Sequence, residues 1–344
     1  MRILLATQTF EGASGWHIER TLKKMGHTVR VSDPGNWLVP PFKGYYTLGD
    51  NFQRLILRVT NRLLPLRSAI IAVNNRRLLR EVQIFQPDLL LAIKGEQIYP
   101  ETIAQIRRAK IRAINWCFDD PFLWIGNAEE TIAAYDCFLM VDHAYIEKAK
   151  VRLPGANVDY LPQCCDPEIH RTLALTPVER QRYGNGVCFV GSMYPHRVQL
   201  LQAVAEFDFG IWGSYWNRAP DPNLRRCYRG REAYGLEKTR VFNASKIVLN
   251  THHPQAVRAT NLRTYEVTGC GAFLLSDRRE DLLRLYRENE EFVGFENADD
   301  LREKIVYYLE HFEARAQIAK RGQQRAHAEH TYKIRLNQLL AFAR

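Results

Sequence analysis

No stretch of this chain approaches the ~18 consecutive apolar residues of a membrane-spanning helix, which argues against a protein that crosses a bilayer on helices. Its seven cysteines (117, 137, 164, 165, 188, 227 and 270) form no Cys-x-x-Cys pair and no close Cys/His spacing. A structural zinc site is therefore not expected. The odd number and the scatter through apolar runs fit buried, reduced thiols better than a disulfide framework. The spacing Gly-x-Gly-x-x-Gly is also missing. Gly12-Ala-Ser14-Gly15 follows the first apolar run but departs from that spacing, so hydride transfer on a dinucleotide gains little support. There is no Asp-x-Asp metal motif in a convincing place, no short-period repeat and no low-complexity run. The opening residues, Met1-Arg-Ile-Leu-Leu-Ala6, lead straight into a strand and do not read as a signal peptide. The expected location is cytoplasmic, with peripheral membrane contact left open.

What is present is ordinary globular composition: 46% hydrophobic, 25% charged and 344 residues, enough for two domains. The formal net charge of +10 suits phosphates, anionic lipid or an acidic acceptor, and equally a basic surface kept for solubility.

Strand and helix signals alternate. Arg2–Ala6 reads as a strand, Trp16–Met25 as a helix closed by Gly26, and Thr28–Ser32 as a second strand. That βαβ opening predicts a parallel sheet. Buried strands are expected at Pro87–Ile93, Ile111–Trp116, Cys137–Val141 and Val158–Pro162. Residues 167–186 carry Pro167, Pro177 and Gly184 without a clear period, and read as a linker between a domain over 1–166 and another over 187–328. In the second half, strands are expected at Val187–Gly191, Phe209–Gly213, Lys246–Asn250, Ala272–Ser276 and Phe292–Phe295. A helix is expected near 298–311, and helical material from 313 onward. Two α/β domains in series bind ligands at strand ends across a cleft.

The most informative stretch is Asn261-Leu-Arg-Thr-Tyr-Glu-Val-Thr-Gly-Cys-Gly271, a short predicted helix between two buried strands. Arg263 and Glu266 stand three apart and share a helical face. A helix N-terminus beside an Arg suits a diphosphate, and a Glu one turn on can accept hydrogen bonds from sugar hydroxyls. The competing reading is an exposed charge pair of little consequence. Gly191-Ser192 ends a strand, with Arg197 five residues beyond Ser192; exposed amides, a hydroxyl and a guanidinium there can hold phosphate, or form a plain turn. Trp212-Gly213 ends another strand, and Trp212 or Trp216 can stack on a base or sugar, or pack in the core. Asn250 ends the strand before the Asn261 helix. In the first half, Asp119-Asp120-Pro121 follows a strand. Either carboxylate can serve as general base toward an acceptor hydroxyl, or cap a turn or helix. Lys94-Gly95 and His17, beside the Gly12–Gly15 loop, are weaker candidates.

Residues 51–80 hold seven Arg (54, 58, 62, 67, 76, 77 and 80) and no Asp or Glu, with Pro65 between. Two basic amphipathic helices touching an anionic membrane are one expectation. A helix pair packed on the sheet with a solvated basic face is the slightly favoured other. Aromatic residues are sparse there, so nucleic acid is the weakest partner class.

Taken in order, Pro87–Gly95, Asn115–Pro121, Asp159–Pro167, Cys188–Ser192, Ser245–Asn250, Asn261–Gly271 and His330-Thr-Tyr332 resemble the CgeB-like (spore maturation protein B-like) glycosyltransferases, related to families 1 and 4 of the GT-B superfamily. The resemblance implies a GT-B fold: two Rossmann-like parallel-sheet domains facing a cleft, with a terminal helix over 329–344 crossing back to the first. It implies a glycosyltransferase with a nucleotide-diphosphate-sugar co-substrate, no cofactor and no metal, the alternative being a non-catalytic nucleotide-sugar or glycan-binding protein with the same fold. The acceptor is left among glycan, lipid-linked, protein and small-molecule hydroxyls. It places Gly191, Ser192, Arg197 and Arg263 near the diphosphate and Glu266 at the donor ribose. One departure stands out: the second Glu that retaining relatives carry eight residues earlier is Arg258 here. The stereochemical outcome is left open.

Overall fold

A computed structural model describes residues 1–33 and 64–343. Two compact units emerge, Met1–Leu161 with Leu336–Arg344, and Pro162–Arg335. Each is built on one all-parallel sheet.

The first sheet contains β1 (Arg2–Ala6), β2 (Thr28–Ser32), β3 (Leu89–Ile93), β4 (Arg112–Cys117), β5 (Cys137–Met140) and β6 (Val158–Tyr160), in the order β2-β1-β3-β4-β5-β6. β3 is Leu-Leu-Leu-Ala-Ile, buried at every position, as a parallel strand covered on both faces must be. The order reverses between β1 and β3, which makes their C-terminal ends the switch point. Helix Ser14–Lys24 starts there. It lies so close to β1 that a Cβ on Gly15 would come within 2.2 Å of the Gln8 carbonyl oxygen, so only glycine fits.

The basic segment is described in part. Residues 51–63, with Arg54, Arg58 and Arg62, lie outside the described residues. The remainder belongs to helix Leu64–Phe85, which starts beside Pro65, a residue suited to a first turn. Leu78 and Val82 enter the core, while Arg76, Arg77 and Arg80 are exposed. That is the packed helix with a solvated basic face. Among the described residues no helix is long and apolar enough to cross a membrane.

The second sheet contains β7 (Val187–Val190), β8 (Phe209–Trp212), β9 (Ile247–Asn250), β10 (Leu274–Asp277) and β11 (Val293–Phe295), in the order β11-β10-β9-β7-β8. Its switch point lies between β7 and β9. Residues 167–186, expected as a linker, are part of this unit. Thr176 and Glu179 form a capping box on helix Pro177–Tyr183, and the Leu173 N–H donates to Asn243 Oδ1 at 2.9 Å. The prolines and the glycine mark turns and a helix start rather than a free connection. Helices Ala298–Glu310 and Phe312–Glu329 follow β11, and helix Tyr332–Ala341 begins in the second unit and ends in the first.

Candidate functional site

The residues singled out in the second half gather at the C-terminal ends of β7, β8 and β9. Arg197, in helix Pro195–Gln202, spans the switch point. Its Nη1 donates to the Ser192 carbonyl at 2.8 Å, and its Nε donates to Thr251 Oγ1 at 3.1 Å, just beyond β9. Its guanidinium also lies over Phe189 and Tyr194, 5.3 and 5.1 Å from their ring centroids. Burial, with the charge of Arg263 adding to it, lowers the Arg197 pKa to about 10, so the group is cationic at neutral pH.

Helix Leu262–Gly269 points its N-terminus at the same place, with Asn261 at the N-cap. Asn261 does not cap the helix with its side chain. Its Nδ2 is turned toward Asn250 Oδ1 (3.0 Å) and the Thr251 carbonyl (3.1 Å). The Asn261 side chain therefore does not cover that first turn, where the amides and the helix dipole favour an anion. Arg263 Nε donates to the carbonyl of Val190, the last residue of β7, at 3.0 Å, and its side chain is 21% exposed. Two guanidiniums thus flank Gly191-Ser192.

Glu266 is 1% exposed, and both carboxylate oxygens are engaged. Oε2 is paired with Arg263 Nη1. Oε1 lies 2.5 Å from Lys238 Nζ and 3.7 Å from His170 Nε2. His170 Nδ1 accepts from the Asp166 N–H at 3.0 Å, so in the neutral ring Nε2 carries the proton toward the carboxylate. Burial alone would raise the Glu266 pKa; Arg263, Lys238 and His170 together reverse that and hold it at about 2. Burial also pulls Lys238 down further than Glu266 lifts it.

Several expectations are corrected. Trp212 does not stack on a ligand: it is 2% exposed in the core beside Val190 and Phe242, because β8 is buried on both faces. Trp216 is likewise buried, its Nε1 donating to the Gly191 carbonyl at 2.7 Å. Asn250 is an internal tie. Its Nδ2 donates to Thr264 Oγ1 and Ser276 Oγ at 3.3 and 3.2 Å, joining β9 to β10 and to the helix. Gly213 serves packing, since a Cβ there would stand 1.9 Å from the Gly191 carbonyl oxygen at φ +153. Gly213→Ala is expected to lower stability by about 2–3 kcal/mol in urea unfolding; a cost below ~0.5 kcal/mol would show that the two strand ends can separate freely.

In the first unit, Asp119 and Asp120 part company. Asp120 Oδ1 accepts from the Phe122 N–H at 2.9 Å and caps helix Pro121–Trp124. Asp119 Oδ2 pairs with Lys94 Nζ at 2.5 Å, at the ends of β4 and β3. His17 is buried at 1% exposure inside helix Ser14–Lys24, so it offers no proton to a ligand. Gly12, at φ +85, turns the chain toward Ser14, the first residue of that helix.

Sequence reasoning missed Lys238, His170 and Thr251, which reach the site from separate elements. Among the described residues, no three His, Cys, Asp or Glu side chains gather as a metal site.

The chain is similar to several known proteins. A family model described as glycosyl transferase-like matches residues 197–341. Spore protein CgeB of Bacillus subtilis (strain 168) is 24% identical over 264 residues, covering 70% of this chain and 78% of that one. Among solved structures, sucrose-phosphate synthase of Thermosynechococcus elongatus superposes with a TM-score of 0.68 at 13% identity, over 99% of this chain and 98% of that one. HepE of Anabaena in complex with UDP-glucose gives a TM-score of 0.62 at 12% identity, over 99% and 98%. A glycosyltransferase of Rickettsia africae gives 0.65 at 10% identity, over 99% and 97%. The chain has the GT-B fold of these glycosyltransferases, is similar to spore protein CgeB, and matches the glycosyl transferase-like family model over residues 197–341.

Proposed function

We infer that the second unit binds the diphosphate of a nucleotide-sugar donor at the ends of β7 and β9, and that the protein transfers the sugar to an acceptor hydroxyl without a bound metal. One observation carries this reading: Arg197, Arg263 and an uncapped helix N-terminus converge on Gly191-Ser192. Fixed cations and oriented amides stabilise the charge that grows on a leaving diphosphate and need no reorganisation as it forms. The HepE structures hold UDP and UDP-glucose, which makes UDP the first probe. On the acceptor side Asp119 is the better candidate base, since Asp120 is used by the helix cap.

The test is calorimetric titration of UDP in the presence of EDTA. The wild type is expected to bind, and Arg197→Ala to bind about 10- to 100-fold more weakly, as when a charge-assisted hydrogen bond to phosphate is lost. GDP, dTDP and ADP take UDP's place if UDP is silent. Equal affinity in wild type and Arg197→Ala would remove the site from this end of the sheet.

A further inference from the structure

We propose that the His196–His253 pair takes up a proton from solvent as the donor's diphosphate binds, so that a third cation joins Arg197 and Arg263 when the site is filled and the donor is held more tightly as pH falls. This deepens the donor site proposed above and rests on it.

The two rings sit where the second sheet reverses its strand order. His196 lies in helix Pro195–Gln202, next to Arg197. His253 comes two residues after Thr251, which Arg197 contacts through Nε at 3.1 Å and Nη2 at 3.3 Å. The two imidazoles meet edge to face with their centroids 5.3 Å apart. Tyr194 completes the group, 5.8 Å from His196 and 4.9 Å from His253, and the Arg197 guanidinium lies over the Tyr194 ring. An anion held by Arg197 is thereby brought close to both imidazoles.

Without an anion, the surroundings of His196 oppose its charge. Arg197 flanks it on its own helix, His253 faces it from the loop after β9, and Arg279 acts on it from beyond β10. Asp277 acts the other way, but its carboxylate is already shared between His252 Nδ1 at 2.6 Å and Arg279 Nη2 at 3.2 Å. Burial first, then Arg197 and His253, hold the His196 pKa below 6.5. Two adjacent imidazoles also repel when both are charged, so the pair titrates as a unit. The two negative charges of a diphosphate reverse this balance, because an imidazolium beside phosphate is attracted. Nothing tethers the responding ring at one point: His196 Nε2 is closed off from solvent and has no hydrogen-bond partner among the described residues, so no bond is lost there when the ring turns or charges. His253 Nδ1 accepts the Gln255 N–H at 3.2 Å, which leaves the proton of the neutral ring on Nε2. His252 is a different case, committed to Asp277 through Nδ1 and to Thr260 Oγ1 through Nε2 at 3.0 Å.

The sign follows from linkage. The filled site binds more protons than the free one, so the gain in affinity is complete below the free pKa of the pair and absent above its pKa in the complex. UDP-glucose is the probe, because its diphosphate does not titrate between pH 8 and 5.5, whereas the terminal phosphate of UDP does. Wild-type affinity is expected to rise about 10-fold over that range. Calorimetry at pH 6.5 in buffers of different ionisation enthalpy should show net proton uptake on binding. The double variant His196→Gln with His253→Gln should bind with one affinity across the range and take up no proton. If it does not fold, His196→Gln alone takes the same titrations and should lose part of both signals. A packing role weakens binding equally at every pH and leaves the uptake in place, and that result overturns the inference. So does wild-type binding without proton uptake, a measurement that needs no variant. In that case the donor site stands and this inference falls. Failure of UDP-, GDP-, dTDP- and ADP-glucose to bind wild type at any pH removes the donor site, and the inference with it.

Discussion

Glu266→Ala is expected to cost the second unit about 3–5 kcal/mol of stability. The carboxylate lies between Lys238 and Arg263, and its removal strands both cations, one of them almost wholly buried. A cavity adds to the loss. The chain has one partial escape. Burial already lowers the Lys238 pKa, and without Glu266 it falls further, so the amine can shed its proton as pH rises. The deficit of the variant should therefore shrink between neutral and alkaline pH. Lys238→Met placed in the Glu266→Ala background should recover a substantial part of the loss, because it removes the stranded charge. Urea unfolding of the four proteins of this cycle gives the coupling directly. A Glu266→Ala cost under ~1 kcal/mol would mean that water reaches the cluster and that the three side chains are not locked together.

That cluster also shows where reading the sequence succeeds and where it stops. Arg263 and Glu266 are legible because they are neighbours on one helical face between two apolar strands, so their pairing follows from helix geometry alone. Arg197 is legible as a cation shortly after a strand end. Lys238 and His170 are not, since each comes from a distant segment and neither has a local pattern to distinguish it from a surface Lys or a core His. The parallel sheets follow from the alternation of strand and helix signals, and the short, fully apolar β3 and β7 are typical of strands covered on both faces. The same fact misled at Trp212. In a strand buried on both faces, the residue at the end reads like an exposed platform, yet it is core. Asp119 and Asp120 could not be separated in advance, because Asp-Asp-Pro satisfies both a helix cap and a cleft base. In the structure the Phe122 amide takes Asp120 as a helix cap, and Asp119 pairs with the Lys94 ammonium. Residues 167–186 were misread for a related reason: proline and glycine punctuate ordered turns as readily as they mark linkers.

Acidification should destabilise the second unit in two successive windows. His330 comes first. Its Nδ1 faces Arg335 Nη2 at 2.7 Å and its Nε2 donates to the Leu285 carbonyl at 3.2 Å, an arrangement that suits only the neutral ring. Burial, and then the charge of Arg335, lower its pKa from 6.5 to about 4. The unfolded chain therefore takes up the proton first, so the stability from His330 is complete above pH 6.5 and is lost as pH falls toward 4. Glu266 follows by the same sign. Its folded pKa, about 2, lies below the ordinary 4.5, so its contribution is complete above 4.5 and disappears as pH falls through 2. Each shift corresponds to about 3 kcal/mol at the end of its window. Urea midpoints at pH 7, 5.5, 4 and 3 check this against His330→Gln and Glu266→Gln. The first variant should flatten the difference between pH 7 and 4 and leave the lower window intact. The second should do the reverse. If His330→Gln follows the wild-type slope between pH 7 and 4, the histidine is not held neutral by Arg335, and its contacts with Arg335 and the Leu285 carbonyl have another basis.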